Sequence, residues 1–254
     1  MAERARDELF PYPTVKEVDF EIRYPILFSI ENKIGDLQQL ILNEFPEAQQ
    51  AFERVFSGVI STSKDSGIDE RPEMARKLWL FKSGTGHEVR ISSNSLLIVS
   101  IQHKTYDNIN SQERFRDVIE FVTTNFFKIV NIPVIRRVGL RYIDHIPLPI
   151  KDNATLERLY HSSLPYERFP IQDVSSMVSE VRTTKGNHKL TYKEALTQVN
   201  DKDTIILDFD SFEEKILSTE LLRVTDELHS IIKTEYFNII KGPVLAYMRT
   251  GRFE

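Results

Sequence analysis

Apolar and polar residues alternate without a break along Val18-Asp19-Phe20-Glu21-Ile22-Arg23-Tyr24. In an extended chain Val18, Phe20, Ile22 and Tyr24 fall on one face and Asp19, Glu21 and Arg23 on the other, which predicts a strand with one side in a core. A related phrase, Arg136-Arg137-Val138-Gly139-Leu140-Arg141-Tyr142, recurs in the second half of the chain. Each copy is followed by a similar order of elements, closing with an apolar strand (96–103 and 204–210) that leads into a long amphipathic helix. The first of these helices carries Phe115, Val118, Ile119, Val122, Phe126 and Ile129 at three- and four-residue spacing, and the second carries Leu217, Leu221, Val224, Leu228, Ile232 and Tyr236. Such internal repetition fixes an expected architecture before any motif is weighed.

Between these landmarks, Pro25 ends the first strand and Ile34, Leu37, Leu40 and Ile41 trace a helix. Pro46 fits the first turn of a second helical segment holding Ala48, Phe52 and Val55. Residues 57–76 read as a loop rich in Ser, Asp and Gly, with a short strand at 59–61. Three apolar runs at 77–82, 87–91 and 95–101, separated by Ser-Gly-Thr-Gly and Ser-Ser-Asn, predict an antiparallel meander. In the second copy the predicted strands lie at 136–146, 174–182, 188–192 and 205–210, with a short helix at 154–160 and a last apolar turn at 244–248. Asn110 with Glu113, and Ser211 with Glu214, have the spacing of capping boxes opening the two long helices.

The expected fold is therefore α+β. A leader (1–14) precedes two β-α-β-β-β(β)-α units, at 15–132 and 133–254, which form one curved, mainly antiparallel sheet with helices on one face. That outline resembles the saddle of the TATA-binding protein, in topology alone.

Composition narrows the function classes. With 254 residues, 41% hydrophobic and 28% charged, the chain reads as an ordinary globular protein. A formal net charge of -5 argues against a general nucleic-acid binder, whose affinity would come from Lys and Arg on phosphates. The absence of cysteine removes disulfides, thiolate catalysis and Cys-ligated zinc. No secretory signal or run of ~20 apolar residues occurs, so a cytoplasmic protein with no membrane contact is expected. None of the 9 glycines stands in a dinucleotide or Walker loop, and no cofactor is expected.

Four phrases, VDFEIRYP, RRVGLRYIDHI, ILDFDSF and LHSIIKTEYF, resemble those of a sporadically distributed family of prokaryotic proteins of about this length. The resemblance spans nearly the whole chain and carries no established activity with it. Its middle phrase commonly reads Asn-Arg where Asp144-His145 stands here. Sporadic distribution implies mobile-element or defence-linked genes.

The candidate site residues lie on the polar side of the predicted sheet. Arg23, Arg137 and Arg141 are positioned to bind a phosphate, a carboxylate or an acidic segment of a partner. Asp208 and Asp210, two apart on a strand, project to one face, a spacing that suits Mg²⁺ or Mn²⁺ held through oxygen ligands. The plainer account is a cross-strand ion network in which Asp19, Glu21 and Glu180 also take part. Asp144-His145 is a weak acid/base pair because adjacent strand residues face opposite ways, and His229 lies at the edge of an apolar helix stripe. The leading expectation is a non-enzymatic interaction or ligand-binding protein, whose unpaired strand edges point to a homodimer or a protein partner. The alternatives are a metal-dependent hydrolase of nucleotides or nucleic acid using Asp208 and Asp210, and a nucleic-acid-binding saddle.

Overall fold

A strand that is apolar on one side must lay that side on something else, and here the alternating residues and the helix stripes meet in one core. The computed structural model describes residues 8–55 and 74–253. Its strands are β1 (Val15–Arg23), β2 (Glu47–Val55), β3 (Met74–Lys82), β4 (His87–Ile91), β5 (Ser95–Ser100), β6 (Val134–Pro147), β7 (Met177–Lys185), β8 (His188–Val199) and β9 (Lys202–Leu217). Its helices are α1 (Ile34–Ile41), α2 (Phe115–Ile129), α3 (Asn153–Leu159), α4 (Leu221–Ile239) and α5 (Gly242–Thr250). The fold is α+β, and the described residues form one antiparallel sheet of 9 strands in the order β2-β3-β4-β5-β1-β6-β9-β8-β7.

The two Arg-Tyr strands, β1 and β6, lie side by side at the middle of this sheet, with Val18 opposite Tyr142, Asp19 opposite Arg141 and Arg23 opposite Arg137. To one side the chain continues through β5, β4, β3 and β2, and to the other through β9, β8 and β7. Val18, Phe20 and Ile22 of β1, Val138 and Leu140 of β6, and Leu207 and Phe209 of β9 are wholly buried. They share a core with Leu37 of α1, Phe126 of α2, Leu156 of α3, Leu228 of α4 and Val244 of α5. Each such side chain contributes about 1.5–3 kcal/mol through its removal from water. Tyr24 and Tyr142 point into this core, and the Tyr24 hydroxyl donates to the Ser92 and Ser95 carbonyls at 3.0 Å.

Several expectations need correction. Residues 47–55 form edge strand β2, not a helix: they pair with β3 from Glu47–Lys82 to Val55–Met74. Ala48, Gln49, Gln50 and Phe52 are all exposed, so the helical spacing of Ala48 and Phe52 had no core to face. Hydrogen bonding to a neighbour decided the matter instead, overriding local propensity.

Neither capping box forms. The residue before α2 is Arg114, with no side-chain cap, and Ser211 lies fully buried in the middle of β9. Predicted to end at Asp210, β9 runs on to Leu217, which is therefore a strand residue and not the start of the last long helix. The strand pairs with β6 over its whole length, and that ladder outweighs the local Ser-Phe-Glu-Glu signal. Among the described residues the helix cap by a side chain that does form is at α3, where Asp152 accepts from the Thr155 amide at 2.7 Å. A short strand at 59–61 lies outside the described residues. No helix among the described residues is long and apolar enough to cross a membrane.

Candidate functional site

The sheet has two faces of opposite chemistry. On the open face, strand alternation brings together all five residues singled out from the sequence: Arg23, Arg137, Arg141, Asp208 and Asp210 line one concavity with Asp19, Glu21, Thr191 and Lys193. Within it the charges pair with one another. Arg137 donates through Nη2 to both Asp210 oxygens at 2.8 and 2.9 Å and through Nη1 to Glu21 at 2.9 Å, while its guanidinium lies 4.5 Å from the Phe212 ring centroid. Arg141 donates to both oxygens of Asp208 at 2.8 Å, and its Nη1 stands 3.8 Å from Asp19. Arg23 donates to Glu21 at 2.9 Å.

The Arg141–Asp208 fork, through two nitrogens and two oxygens, is the geometry in which guanidinium and carboxylate bind most strongly. Gly139 makes the arrangement fit. A Cβ there would stand 2.4 Å from Nη1 of Arg137, so only a glycine lets that side chain lie flat across β6. Asp208 and Asp210 thus share a face, as expected, yet each already faces an arginine in place of a cation site. Among the described residues no group of three or more His, Asp or Glu side chains is arranged to hold a metal ion. One group on this face is under-compensated. Burial, with repulsion from Glu17 next, pushes the Asp19 carboxyl up to about 6, against the pull of Arg141, and its Oδ1 is buried with no hydrogen-bond partner.

The helix side holds a second cavity, of about 470 Å³, that the sequence did not announce. Its walls are the segment before β1 (Phe10, Pro13, Thr14), the loop after β5 (His103 to Asn110), Tyr142 and Asp144 of β6, and His229, Ile232, Lys233 and Tyr236 of α4. Asp144 is only 5% exposed, because it occupies a core-facing position in the alternation Leu140, Tyr142, Asp144, Ile146. A register shift between Val15 and Glu17 adds one residue to β1 against β6, and the His145 amide then donates to the Thr14 carbonyl at 2.9 Å. Bulges of this kind re-aim side chains beside sites. Here the Thr14 hydroxyl comes to donate to Asp144 Oδ1 at 2.7 Å and lies 2.6 Å from the Tyr236 hydroxyl.

Two imidazoles complete the wall. Tyr106 stacks on His229 with ring centroids 4.1 Å apart, and the Tyr142 hydroxyl is 3.2 Å from His229 Nδ1. His103 meets the Tyr142 ring edge-on at 5.4 Å, and its Nδ1 is buried without a hydrogen-bond partner.

Electrostatically the cavity floor is close to neutral. Burial pushes the Asp144 carboxyl up to about 7, only partly offset by the Thr14 hydrogen bond and by Lys16. Burial also lowers His103 to about 3, helped by His87, and lowers His229 to about 3, helped by Lys233 and His103. Tyr142 and Tyr236 are pushed well above the ordinary phenol range by the same desolvation. At the rim, Lys104 pairs with Glu113 at 2.6 Å and Glu8 with Arg249 at 2.6 Å.

As expected, Asp144 and His145 point to opposite sides of the sheet, so they do not act as a pair. The signal that marks Asp144 in the sequence is its parity: it is the acid within an otherwise apolar alternation. Nothing local in the sequence marks Thr14 or His103. Comparison with family models, with curated proteins and with solved structures returns no match. The reading of the site therefore rests on its own geometry.

Proposed function

We propose that this protein is a non-enzymatic ligand-binding module and that the helix-side cavity is its binding site. The observation that carries this reading is the cavity's lining: the rings of Phe10, Tyr106, Tyr142, Tyr236 and Phe237 and the buried polar side chains Thr14 and Asp144 stand around a space of about 470 Å³. That size, and the meeting of several rings with buried polar groups in one concavity, are those of small-molecule sites. The open face, by contrast, has its arginines committed to its own acids. Two further features belong to the same proposal. The mirrored placement of β1 and β6 supports an origin in two duplicated units, and the resemblance to sporadically distributed prokaryotic proteins supports a setting in defence or mobile elements.

A thermal-shift screen with small metabolites tests the reading. At least one compound raises the melting temperature of the wild-type protein and fails to do so for Ile109→Trp, which places a bulky ring at the cavity mouth where Ile109 is 86% exposed. Ligands that stabilise both proteins equally would place binding elsewhere and sink the proposal.

A second reading concerns self-association. Strand β7 is an open edge of the sheet, and its Val178 and Val181 are 63% and 45% exposed. Edges of this kind pair with other strands, which supports a homodimer through β7. Light scattering across a concentration series checks it, with Val181→Lys expected to leave only monomer.

A further inference from the structure

The cavity floor has an acid without a cation. Asp144 is 5% exposed and accepts from Thr14, but among the described residues no lysine, arginine or histidine forms an ion pair with it; Lys16, the cation that acts on it, is exposed and makes no contact pair. A buried charge lacking a partner is costly, and proteins keep such groups neutral until something arrives to compensate them. Around Asp144 the cavity presents the rings of Phe10, Tyr106, Tyr142, Tyr236 and Phe237. Aromatic faces and edges pack well against an apolar body and attract a cation placed over them.

The imidazoles of the wall do not supply the missing charge. His103 is kept neutral by burial. His229 is likewise neutral, and no imidazolium competes for the carboxylate.

Resting on the ligand-binding reading above, we propose that the cavity binds a small primary ammonium ion with an apolar or aromatic body, the ammonium held by Asp144 and the body by the surrounding rings. Such a ligand supplies the positive charge that the fold leaves out. It also explains why the floor offers hydrogen-bond acceptors and rings together, when either alone would suit a neutral lipid or a metal ion better.

Binding then couples to a proton. The groups facing Asp144 are Thr14 and Lys16 from β1 and the segment before it, Tyr142 from β6, Tyr236 and His229 from α4, and His103 from the loop after β5; Lys104, Lys233, Asp107 and Glu8 stand at the rim. Of the floor groups, only Asp144 changes charge between pH 6 and pH 8. An ammonium ligand therefore binds about tenfold more tightly at pH 8 than at pH 6, as the carboxyl, pushed up to about 7, loses its proton.

The test uses benzylamine, which stays protonated over this range, against benzyl alcohol of nearly the same shape, by calorimetry on the full chain. Benzylamine is expected to bind with the tenfold pH dependence and, at pH 6.5, to release a proton, read as a heat that varies with the ionisation enthalpy of the buffer. Benzyl alcohol is expected to bind more weakly, with no proton release and no pH dependence. Asp144→Asn, which keeps the shape of the side chain, lowers benzylamine affinity at least tenfold and removes its pH dependence and proton release. The proton-release measurement on the wild type stands even where the variant fails to fold. Equal binding of the two probes without proton release overturns the ammonium assignment and leaves the cavity as a site for neutral ligands. Binding of neither probe, nor of any compound sensitive to Ile109→Trp, overturns both readings together.

Discussion

The two faces of the sheet hold similar kinds of charged group in opposite conditions. On the open face, Asp208 and Asp210 each receive a two-bonded guanidinium. On the helix side, Asp144 receives one hydroxyl and no cation. The difference lies in what the neighbouring strands present. The arginines reach the open-face acids along the strands as well as across them: Arg141 is level with Asp19 and Asp210 and donates to Asp208, and Arg137 is level with Arg23 and Glu214 and donates to Glu21 and Asp210. Opposite Asp144 stand Val15 and Leu207, which can supply no charge. Self-compensated charges hold a structure together and leave little affinity to spare, whereas an uncompensated buried acid is a binding determinant waiting for its counter-ion.

The largest effect expected from breaking this comparison is the pH dependence of stability. The folded-state pKa of Asp144 is raised, so between about pH 4 and pH 7 the folded protein holds a proton that the unfolded chain has lost, and the contribution of Asp144 to stability falls as pH rises through that window. A shift of this size corresponds to about 4 kcal/mol over the window. His103 and His229 work the other way. Their folded pKa values are lowered, so the unfolded chain holds the extra protons below the ordinary imidazole pKa and stability rises with pH from about 3 upward. In the wild type these slopes oppose each other. Asp144→Asn removes the falling contribution, so the stability of the variant relative to wild type improves by about 4 kcal/mol from pH 4 to pH 8. Urea unfolding at several pH values checks this, and a stability difference that stays constant with pH would mean that Asp144 is already ionised in the fold.

A smaller effect is expected on the paired face. Arg137 is 17% exposed and serves Glu21 and Asp210, at 22% and 32%. Arg137→Ala leaves Asp210 without its guanidinium and Glu21 with the exposed Arg23, at a cost of about 2 kcal/mol, less than for a fully buried pair because water reaches all three groups. Removing Lys189, which pairs with Glu214 at 52% and 50% exposure, costs under about 0.5 kcal/mol. Denaturant midpoints for the two variants measure the contrast; equal losses would show that the Arg137 network behaves as ordinary surface charge.

How much of this was legible in the sequence depended on whether a residue's partner could be inferred from its own strand. Alternation showed that Val18, Phe20 and Ile22 face a core and that Arg23, Arg141, Asp208 and Asp210 share the other side, because side-chain period alone fixes facing. The same reasoning failed at 47–55, an edge strand whose residues 47–50 and 52 are all exposed and carry no alternation to read. It failed again at Ser211, where a local helix-start signal lies inside a ladder set by a strand some seventy residues earlier. The cavity was the least legible feature. Thr14 and Asp144 are 130 positions apart, and Thr14 and Tyr236 are 222 apart, so their meeting depends on the register shift in β1 and on where α4 crosses the sheet. Only the parity of Asp144 gave a clue, and parity says that an acid is buried without saying what surrounds it.

Gly139 gives the finest way to sharpen the contrast between the faces. The phrase Arg137-Val-Gly139 reads as a strand with a flaw in it, since a glycine within a strand adds backbone entropy and no packing. In the structure the missing side chain is where the Arg137 guanidinium lies, with Nη1 2.4 Å and Cζ 2.9 Å from the place a Cβ would occupy. Gly139→Ala must therefore push aside a group fixed by three hydrogen bonds to Glu21 and Asp210. The expected loss is about 1 kcal/mol, since lost hydrogen bonding outweighs the gain in strand propensity that alanine brings. In an Arg137→Ala background the same substitution meets no guanidinium, and its cost should vanish or change sign. A double-mutant cycle by urea unfolding reads that coupling directly, at about 1 kcal/mol for residues in contact. Additive losses would show that Gly139 is needed for the backbone of β6 itself, and that the charge network of the open face does not depend on the gap beneath it.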